Sequence, residues 1–254
     1  MNIGRHEELI QACETRDFES VYRLFDREKY FNNENGQLEL RNIIVKYGYV
    51  NILEYIYRNG VDIEDFFENE TPLLIAAEKG WVDIVDFLLE VGVDVNIQDY
   101  NGTTALMEAA YYSNVDIVDR LLETGQCDLN IQGLDNFTAL CNAVAFGNLG
   151  IVDRLILHGS DIYHIDLYGN SLLHLAVTNE NPDVLRRILS LGLDINHQNK
   201  YGDTPLMTAA YHGAKDMVKI LLINGANPHI TNNDGKMASD ITKDNEIKNL
   251  LKNI

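Results

Sequence analysis

The sequence predicts an all-α solenoid in which one helix–turn–helix unit is repeated along the chain. The stretch 71–96, TPLLIAAEKGWVDIVDFLLEVGVDVN, has the full pattern: a Thr-Pro opening, an alanine pair, an apolar helix and a closing glycine. Opening hydroxyl residues and closing glycines recur every 32 to 34 residues: Thr71, Thr104, Thr138, Ser171 and Thr204 open the repeats, and Gly60, Gly92, Gly125, Gly159, Gly192 and Gly225 close them. A fixed period of this length indicates a repeat array, so one prediction covers the whole chain.

The first helix of each repeat has a marked beginning and a slim body. The opening hydroxyl can accept a hydrogen bond from the free N–H groups of the first turn. Pro72 and Pro205 stand at the first helical position, where a missing N–H costs nothing. Alanine pairs such as Ala76-Ala77 keep this helix thin, so neighbouring repeats can approach closely.

The second helix supplies most of the core. Apolar pairs such as Leu88-Leu89 lie near its end, and the closing glycine is expected in the left-handed conformation that terminates a helix. Three asparagines stand where this helix needs an N-cap: Asn114, Asn148 and Asn181.

The repeat boundaries divide a single predicted solenoid domain, residues 1–254, into four segments. The terminal segments have charged outer faces, as capping repeats need, and Leu9, Ala12, Val21 and Leu24 form the apolar stripe of the first. The segments are 1–36 (N-terminal cap), 37–65 (a degenerate repeat), 66–231 (five well-formed repeats) and 232–254 (C-terminal cap).

The period, the Thr-Pro-Leu opening and the alanine pairs resemble those of the ankyrin repeat family over nearly the whole chain. The resemblance implies stacked helical hairpins joined by protruding β-hairpin or turn loops. Asn69 and Asn136 replace glycine in two of these loops, because asparagine tolerates positive φ. The family's signature histidine survives only as His174, and the resemblance implies a structural bond from its ring to a turn. Leu74, Met107, Cys141 and Met207 stand at the equivalent positions.

The charge of the chain favours a basic partner. The formal net charge is −19, which argues against nucleic acid or an anionic membrane as the ligand. Residues 59–119 carry 14 acidic residues and one basic residue, whereas residues 200–254 carry six acidic residues and seven lysines. The acidic segment either steers a basic partner or simply maintains solubility.

The sequence contains no recognisable catalytic, cofactor or metal motif and no targeting signal. We find no phosphate-binding glycine loop, no zinc-ligand spacing and no catalytic pair, so we expect no enzyme activity, no cofactor and no metal. The chain has three cysteines, Cys13, Cys127 and Cys141. Because their number is odd and their spacing is not that of a metal site, we expect free thiols. Without a signal pattern or a membrane-spanning run, we expect a cytoplasmic monomer, with signal-less secretion as an effector left open.

Aromatic residues occupy positions that do not need them for folding. By resemblance, ankyrin-type solenoids bind partners through hairpin tips and the residues after the alanine pair of the first helix. These positions hold nine of the 13 aromatic residues from Phe66 onward. The predicted binding set, with polar neighbours, is Phe67, Tyr100, Asn101, Thr103, Tyr111, Tyr112, Asp135, Phe137, Phe146, Tyr168, Asn170, Tyr201, Asp203, Tyr211 and His212.

Three classes of function are weighed. The first is a non-enzymatic module whose concave, tyrosine-rich face binds one protein partner. It would act as an inhibitor or immunity-type protein covering a basic toxin, or as an effector or adaptor that recruits a host or cellular protein. We favour the inhibitor, because the acidic segment resembles a polyanion. An enzyme would need a catalytic constellation that the sequence lacks, and an architectural spacer would have bland, polar residues at the variable positions.

Overall fold

A computed structural model describes the chain at residues 8, 11–12, 15, 17–24, 41–65 and 69–252. The polar stretch 32–36, whose sequence NNENG predicts a loop, lies outside the described residues, as do Leu9, Cys13, Phe67 and the side chain of Leu24. The chain divides into two compact halves, Met1–Cys127 and Asp128–Ile254, called here the N-terminal half and the C-terminal half.

The described residues are helical between their turns and contain no strand, as the predicted all-α fold requires. None of their helices is both long and apolar enough to cross a bilayer. Residues 41–46 are helical, and a short 3-10 turn spans Leu134–Asn136. The α-helices are α1 (Phe18–Leu24), α2 (Val50–Arg58), α3 (Pro72–Lys79), α4 (Val82–Val91), α5 (Ala105–Tyr111), α6 (Val115–Glu123), α7 (Ala139–Ala145), α8 (Leu149–Leu157), α9 (Leu172–Ala176), α10 (Pro182–Leu189), α11 (Pro205–His212), α12 (Lys215–Ile223), α13 (Ala238–Ile241) and α14 (Asn245–Lys252).

The N-terminal half packs its helices in two layers. The first helices α3 and α5 lie side by side, and the second helices α2, α4 and α6 pack in a row behind them. Ala76, Ala77, Ala109 and Ala110 are fully buried between neighbours, which is why the alanine pairs matter for the close approach of α3 and α5. Ala12 and Val21, from the predicted N-terminal stripe, are buried as well.

The C-terminal half repeats the arrangement. The first helices α7, α9, α11 and α13 pack in sequence, and α8, α10 and α12 form the second layer. Leu155, Ile188 and Leu221 of that layer have no exposed surface. The second helices bury one face, whereas the first helix α9 buries all five of its residues between its neighbours, so the core runs along the stack rather than around a centre.

The predicted caps are present at most positions. Thr71, Thr104, Thr138 and Thr204 each accept a hydrogen bond from the backbone N–H three residues later, at 3.3–3.4 Å. Ser171 and His174 form a capping box, in which the N–H of Ser171 donates to Nδ1 of His174 at 3.2 Å. The six closing glycines all have positive φ, between 65° and 94°.

Asn114, Asn148 and Asn181 all stand at the N-cap of a second helix as predicted, but the side chain of Asn114 makes no cap bond there. Asn148 and Asn181 accept bonds from Ile151 N and Asp183 N. The side chain of Asn114 points back to the preceding repeat, where its Nδ2 donates to Ala77 O at 2.6 Å and Glu78 O at 3.1 Å. The carbonyls that end α3 lack intrahelical donors, so the asparagine stabilises that helix end.

The degenerate repeat is organised around a buried arginine. Arg41 has no exposed surface, and its guanidinium donates to Asp62 O at 3.0 Å and to Asp65 O at 2.7 Å. Burial lowers the pKa of Arg41 to about 10, an effect that Asp62 and Asp65 oppose, so the group stays charged at neutral pH. Next to it, Asn42 Nδ2 donates to Glu70 O at 3.4 Å.

Candidate functional site

Three tyrosines of the predicted binding set lie at the surface of the N-terminal half. Tyr100 is 83% exposed, and Tyr111 and Tyr112 are 44% and 47% exposed at the end of α5. The rings of Tyr111 and Tyr112 meet edge to face, with centroids 4.9 Å apart. We call Tyr100, Tyr111 and Tyr112 the tyrosine face. Its exposed rings can bury area against a partner at low entropic cost.

A rigid turn presents Tyr100. The carboxylate of Asp99 accepts from Asn101 N at 2.8 Å and from Thr103 N at 2.7 Å, while Gly102 N donates to Asp99 O. Across the repeat boundary, Asn69 Oδ1 accepts from Tyr100 N. Asn101 is exposed and Thr103 half-buried. The backbone of this loop is therefore held by its own polar groups, which leaves the ring of Tyr100 pointing outward.

Carboxylates surround the tyrosine face. Burial raises the pKa of Glu108 on α5 to about 7, and the nearby charges of Glu78, Asp99 and Glu70 add to the effect. Among the described residues no donor bonds or pairs with the Glu108 carboxyl group. Burial, together with the negative charges of Glu78 and Glu108, also raises the pKa of Tyr112. Lys79 pairs with Glu78 at 2.6 Å and Lys46 pairs with Glu70 at 2.8 Å, so the negative charge that an incoming cation could neutralise is chiefly that of Glu108 and Asp99.

The exposed rings of the C-terminal half lie on its first helices and loops. Phe146 is 50% exposed, Tyr168 41%, Tyr201 57% and Tyr211 69%, whereas Phe137 is half-buried. Tyr211 and the exposed His212 meet edge to face at 5.3 Å, at the end of α11. This position in the repeat is the one that Tyr111 and Tyr112 occupy in the N-terminal half.

Asn170 and Asp203, two polar members of the predicted set, already bond to the next loop. Asn170 Oδ1 accepts from Asn199 Nδ2 at 2.8 Å, and Asp203 Oδ1 accepts from Asn232 Nδ2 at 2.7 Å. Asp135 is half-buried, and its backbone carbonyl accepts from Leu167 N at 2.8 Å. These groups tie successive loops together, so their first role is structural.

Asp203 and Tyr211 line one cleft of about 340 Å³ in the C-terminal half. Thr208 of α11, Asp234, Lys236 and Asp240 form its other polar walls. In this open cleft three carboxylates face one lysine. It can accept a polar or cationic side chain.

His174, Cys127 and Cys141 have structural surroundings. His174 is buried, its Nε2 lies 2.9 Å from Asp203 O, and burial lowers its pKa to about 4, so the ring is neutral. Burial raises the pKa of Cys127 to about 11 and that of Cys141 as well, which makes both poor nucleophiles. No cluster of three or more histidine, cysteine or acidic side chains suited to a metal occurs in the described ranges.

Sequence reasoning did not select Glu78 and Glu108. Both lie on first helices beside the tyrosines, and Glu108 stands where the other repeats have Ile75, Asn142, Leu175 or Thr208. A lone acid at a position that its counterparts fill with uncharged side chains was the available signal. It was hidden among the 14 acids of the segment, most of which lie on solvated surfaces.

The family model for ankyrin repeats matches residues 9–99, 41–133 and 140–232, which together make up most of the chain. The solved ankyrin repeat domain of human ASB11 superposes with a TM-score of 0.75 at 26% identity, over 84% of this chain and 96% of that chain. The ankyrin repeat domain of Bcl-3 gives a TM-score of 0.70 at 24% identity, over 84% and 97% of the two chains, and supports the fold alone.

One curated relative is a probable E3 ubiquitin-protein ligase, XBOS33, of Oryza sativa subsp. japonica. It is 50% identical over 52 residues, which are 20% of this chain and 10% of that protein. The match thus spans only a tenth of the relative, so it bears on the repeats that the two proteins share.

Proposed function

The chain belongs to the ankyrin repeat family, whose fold is a scaffold for protein–protein interaction, and from this premise we propose that it is a non-enzymatic inhibitor or immunity-type protein that binds one basic partner. Its location inside the cell, its monomeric state and its division into capping, degenerate and well-formed repeats belong to the same proposal. The single observation that carries the partner's chemistry is the tyrosine face with the carboxyl group of Glu108 beside it, for which the described residues offer no donor.

The tyrosines supply the contact area in this proposal. Tyr111 and Tyr112 stand side by side at the end of α5, and neither ring is needed to fill the core, in which α3 and α6 pack against α5 and Ala109 and Ala110 are fully buried. Exposed tyrosines of this kind are typical anchors, because a large rigid ring loses few rotamers on binding.

The carboxylates supply the selectivity. A lysine or arginine of the partner placed between Tyr112 and Glu108 would face the ring of a tyrosine and a carboxylate together. Such a cation favours the ionised form of Glu108, so binding near neutral pH should release a proton. An anionic partner would meet Glu108 and Asp99 without a cation to offset both, and would be repelled.

The C-terminal half offers further contact residues. Tyr211 and His212 occupy the equivalent helix end, and the adjoining cleft holds Asp203, Asp234 and Asp240. Three more exposed rings lie on its repeats: Phe146, Tyr168 and Tyr201. We therefore include these residues in the proposed binding set, with Asn170 and Asp203 acting chiefly through the loop structure that they hold.

The test is capture of the native partner by the full chain from the lysate in which it is expressed, followed by mass spectrometry. Replacing Tyr111→Ala together with Tyr112→Ala should abolish the capture and leave thermal unfolding nearly unchanged. The matched control is Tyr55→Ala on α2, where the side chain is 41% exposed but lies outside the proposed set. Normal capture by the double variant would show the tyrosine face to be the wrong surface. Recruitment of two proteins at once would favour the adaptor role over the inhibitor.

A further inference from the structure

The repeat that ends in residues 159–170 departs from both neighbouring repeats at two outward positions, and from the next repeat alone at a third. The next repeat has Asn196, Gln198 and Lys200 at these three positions, and the preceding repeat has Asn130, Gln132 and Leu134. Here they are Tyr163, Ile165 and Leu167, which are 73%, 47% and 46% exposed. Because the repeats are built alike, each neighbour serves as an internal control for what the fold itself requires.

In the neighbouring repeats, the polar residues at these positions form hydrogen bonds that hold the structure. Asn130 Oδ1 accepts from Asp161 N at 2.9 Å, and Asn196 Oδ1 accepts from Asn227 N at 2.8 Å. Tyr163 has no amide oxygen at the corresponding place, so it cannot bind the next repeat in this way. The repeat has thus given up a bond that both of its neighbours make, and has gained an exposed ring.

The same exchange occurs two residues later. Gln198 Nε2 donates to Gly202 O at 2.6 Å and so closes its own loop. Ile165 has no donor for the equivalent carbonyl, Gly169 O, which His197 Nε2 binds at 2.9 Å in its place. The loop keeps its shape through a histidine of the following repeat, and the apolar side chain at 165 is left at the surface.

Exposure alternates along residues 163–167, a non-helical stretch with a turn at each end. Tyr163, Ile165 and Leu167 are exposed, while His164 Nε2 contacts Asn136 O at 2.6 Å and Asp166 is buried. Leu167 N donates to Asp135 O, which brings the 65% exposed Leu134 to the same edge. We call Leu134, Tyr163, Ile165 and Leu167 the loop patch.

Acidic residues flank the loop patch. Asp128, Asp161 and Asp194 occupy one position in successive repeats, all exposed, and each carboxylate is fixed by a bond from the backbone N–H two residues later, at 2.9–3.0 Å. Lys200, whose Nζ donates to Leu167 O, is the nearby cation. With a chain charge of −19, a second copy of this protein would be repelled from the patch, whereas a basic segment would be attracted.

We propose that the loop patch is a second protein-binding surface, and that it takes an extended segment of the partner in which apolar side chains alternate with lysine or arginine. The apolar side chains cover Tyr163, Ile165 and Leu167, which share the same two-residue spacing. The cations face Asp128, Asp161 and Asp194. The proposal rests on the protein-binding function argued above but uses different residues, in the C-terminal half.

The test uses three labelled synthetic ten-residue peptides and the full chain, followed by fluorescence anisotropy. In the first peptide Val alternates with Lys; in the second Ser alternates with Lys at the same charge; in the third Val alternates with Glu. We expect the Val–Lys peptide to bind at least tenfold more tightly than either of the others. Equal binding of the Ser–Lys peptide would mean charge attraction alone and would overturn the proposal, as would equal binding of the Val–Glu peptide.

The decisive variant combines Tyr163→Asn and Ile165→Gln, which are the residues of both neighbouring repeats, with Leu167→Asn, which is the residue two repeats further on, Asn233. It should fold at least as stably as the parent and lose the Val–Lys preference tenfold or more. The matched control, Leu157→Gln with Ile223→Gln, removes side chains that are 82% and 84% exposed on α8 and α12, and should bind like the parent.

Two further outcomes would overturn the loop patch as a site for a partner segment. One is unchanged binding of the Val–Lys peptide by the triple variant. The other is self-association of the parent, seen in sedimentation and lost in the triple variant, since a second copy would then be the occupant. The Tyr111→Ala and Tyr112→Ala double variant should bind the peptide normally. Failure of the loop patch therefore leaves the test of the tyrosine face intact, and the reverse also holds.

Discussion

Arg41 shows how one buried side chain stabilises a repeat that has lost its usual sequence signals. Replacing Arg41→Met keeps the length of the side chain but leaves the carbonyls of Asp62 and Asp65 without their donors. Because unsatisfied buried acceptors are costly, we expect the free energy of unfolding to fall by about 3 kcal/mol.

Urea denaturation monitored by circular dichroism measures this loss. The control is Arg58→Met, since the Arg58 side chain is 75% exposed and pairs with Glu54 one turn away on α2. An exposed pair of this kind contributes about 0.5 kcal/mol or less. If the two variants proved equally stable, Arg41 would have no structural role of the kind described.

Glu108 predicts a dependence of stability on pH. The folded pKa of about 7 lies above the ordinary value of 4.5, so between these pH values the folded chain keeps a proton that the unfolded chain has lost. The unfolding free energy should therefore decrease as the pH rises through this window and level off above it. The Glu108→Gln variant lacks this titrating group. Its free energy of unfolding should equal that of the parent at pH 4 and exceed it by about 1 kcal/mol at pH 8, after allowance for solvent screening.

Thermal melts at pH 4, 6 and 8 test this prediction, with the exposed Glu90 of α4 as the comparison. Glu90→Gln should shift the melting temperature by a similar small amount at each pH. A stability difference between Glu108→Gln and the parent that is the same at pH 4 and pH 8 would contradict the raised pKa. One that changes in the opposite direction would do so as well.

Individual residues also mark what the sequence could and could not predict. Thr71 and Thr204 were predictable as caps, because a hydroxyl before a proline has few other uses. Arg41 was not, since an arginine at a normally apolar position reads as a surface residue until its carbonyl partners are known. Asn114 was placed correctly at the start of α6 but bonds to the preceding repeat, and only the packing of two repeats reveals that direction.

At the scale of the element, the two glycines of the degenerate repeat have different surroundings. Gly48 and Gly60 both end helical segments with positive φ, of 78° and 87°. A Cβ at Gly48 would lie 3.0 Å from the indole of Trp81, whereas a Cβ at Gly60 meets nothing within 4 Å. Gly60→Ala should thus lower the free energy of unfolding by about 1 kcal/mol, because alanine must adopt the left-handed backbone conformation there. Gly48→Ala should cost about 1–3 kcal/mol more, because the tryptophan must move.

Urea midpoints of the two alanine variants give the difference directly. Trp81 is the one tryptophan of the chain, so its fluorescence reports the shift of the indole in Gly48→Ala and should stay unchanged in Gly60→Ala. Equal midpoints with equal spectra would show that the indole does not pack on Gly48. Sequence alone predicted the turn at Gly60 from the period, but the contact between Gly48 and the following repeat needed the structure.

Short-range patterns made the fold of this chain more predictable than its site. A helix cap or a closing glycine depends on residues within one repeat, and such patterns recur visibly along the chain. The proximity of Tyr112 to Glu78 brings together different repeats, as does the edge that joins Leu134 to Leu167. No spacing within a single repeat encodes these neighbours, so the aromatic positions were predicted while their charged surroundings were not.

At the scale of the whole molecule, the net charge of −19 makes a prediction about rates. If the acidic segment 59–119 steers a basic partner, the association rate should fall by roughly tenfold or more between about 20 mM and 500 mM NaCl, since screening shortens the range of the field. The dissociation rate should change much less, because short-range ring contacts hold the complex once it has formed.

Surface plasmon resonance with the captured partner separates the two rates. Sucrose at matching osmolality serves as the uncharged control and should leave the association rate unchanged after correction for viscosity. A further arm removes Glu78 and Glu108 as Gln, which should flatten the salt dependence if the charges near the tyrosine face contribute to steering. If the association rate does not change with salt concentration, the acidic segment serves only to keep the protein soluble. The argument for a basic partner would then rest on Glu108 alone.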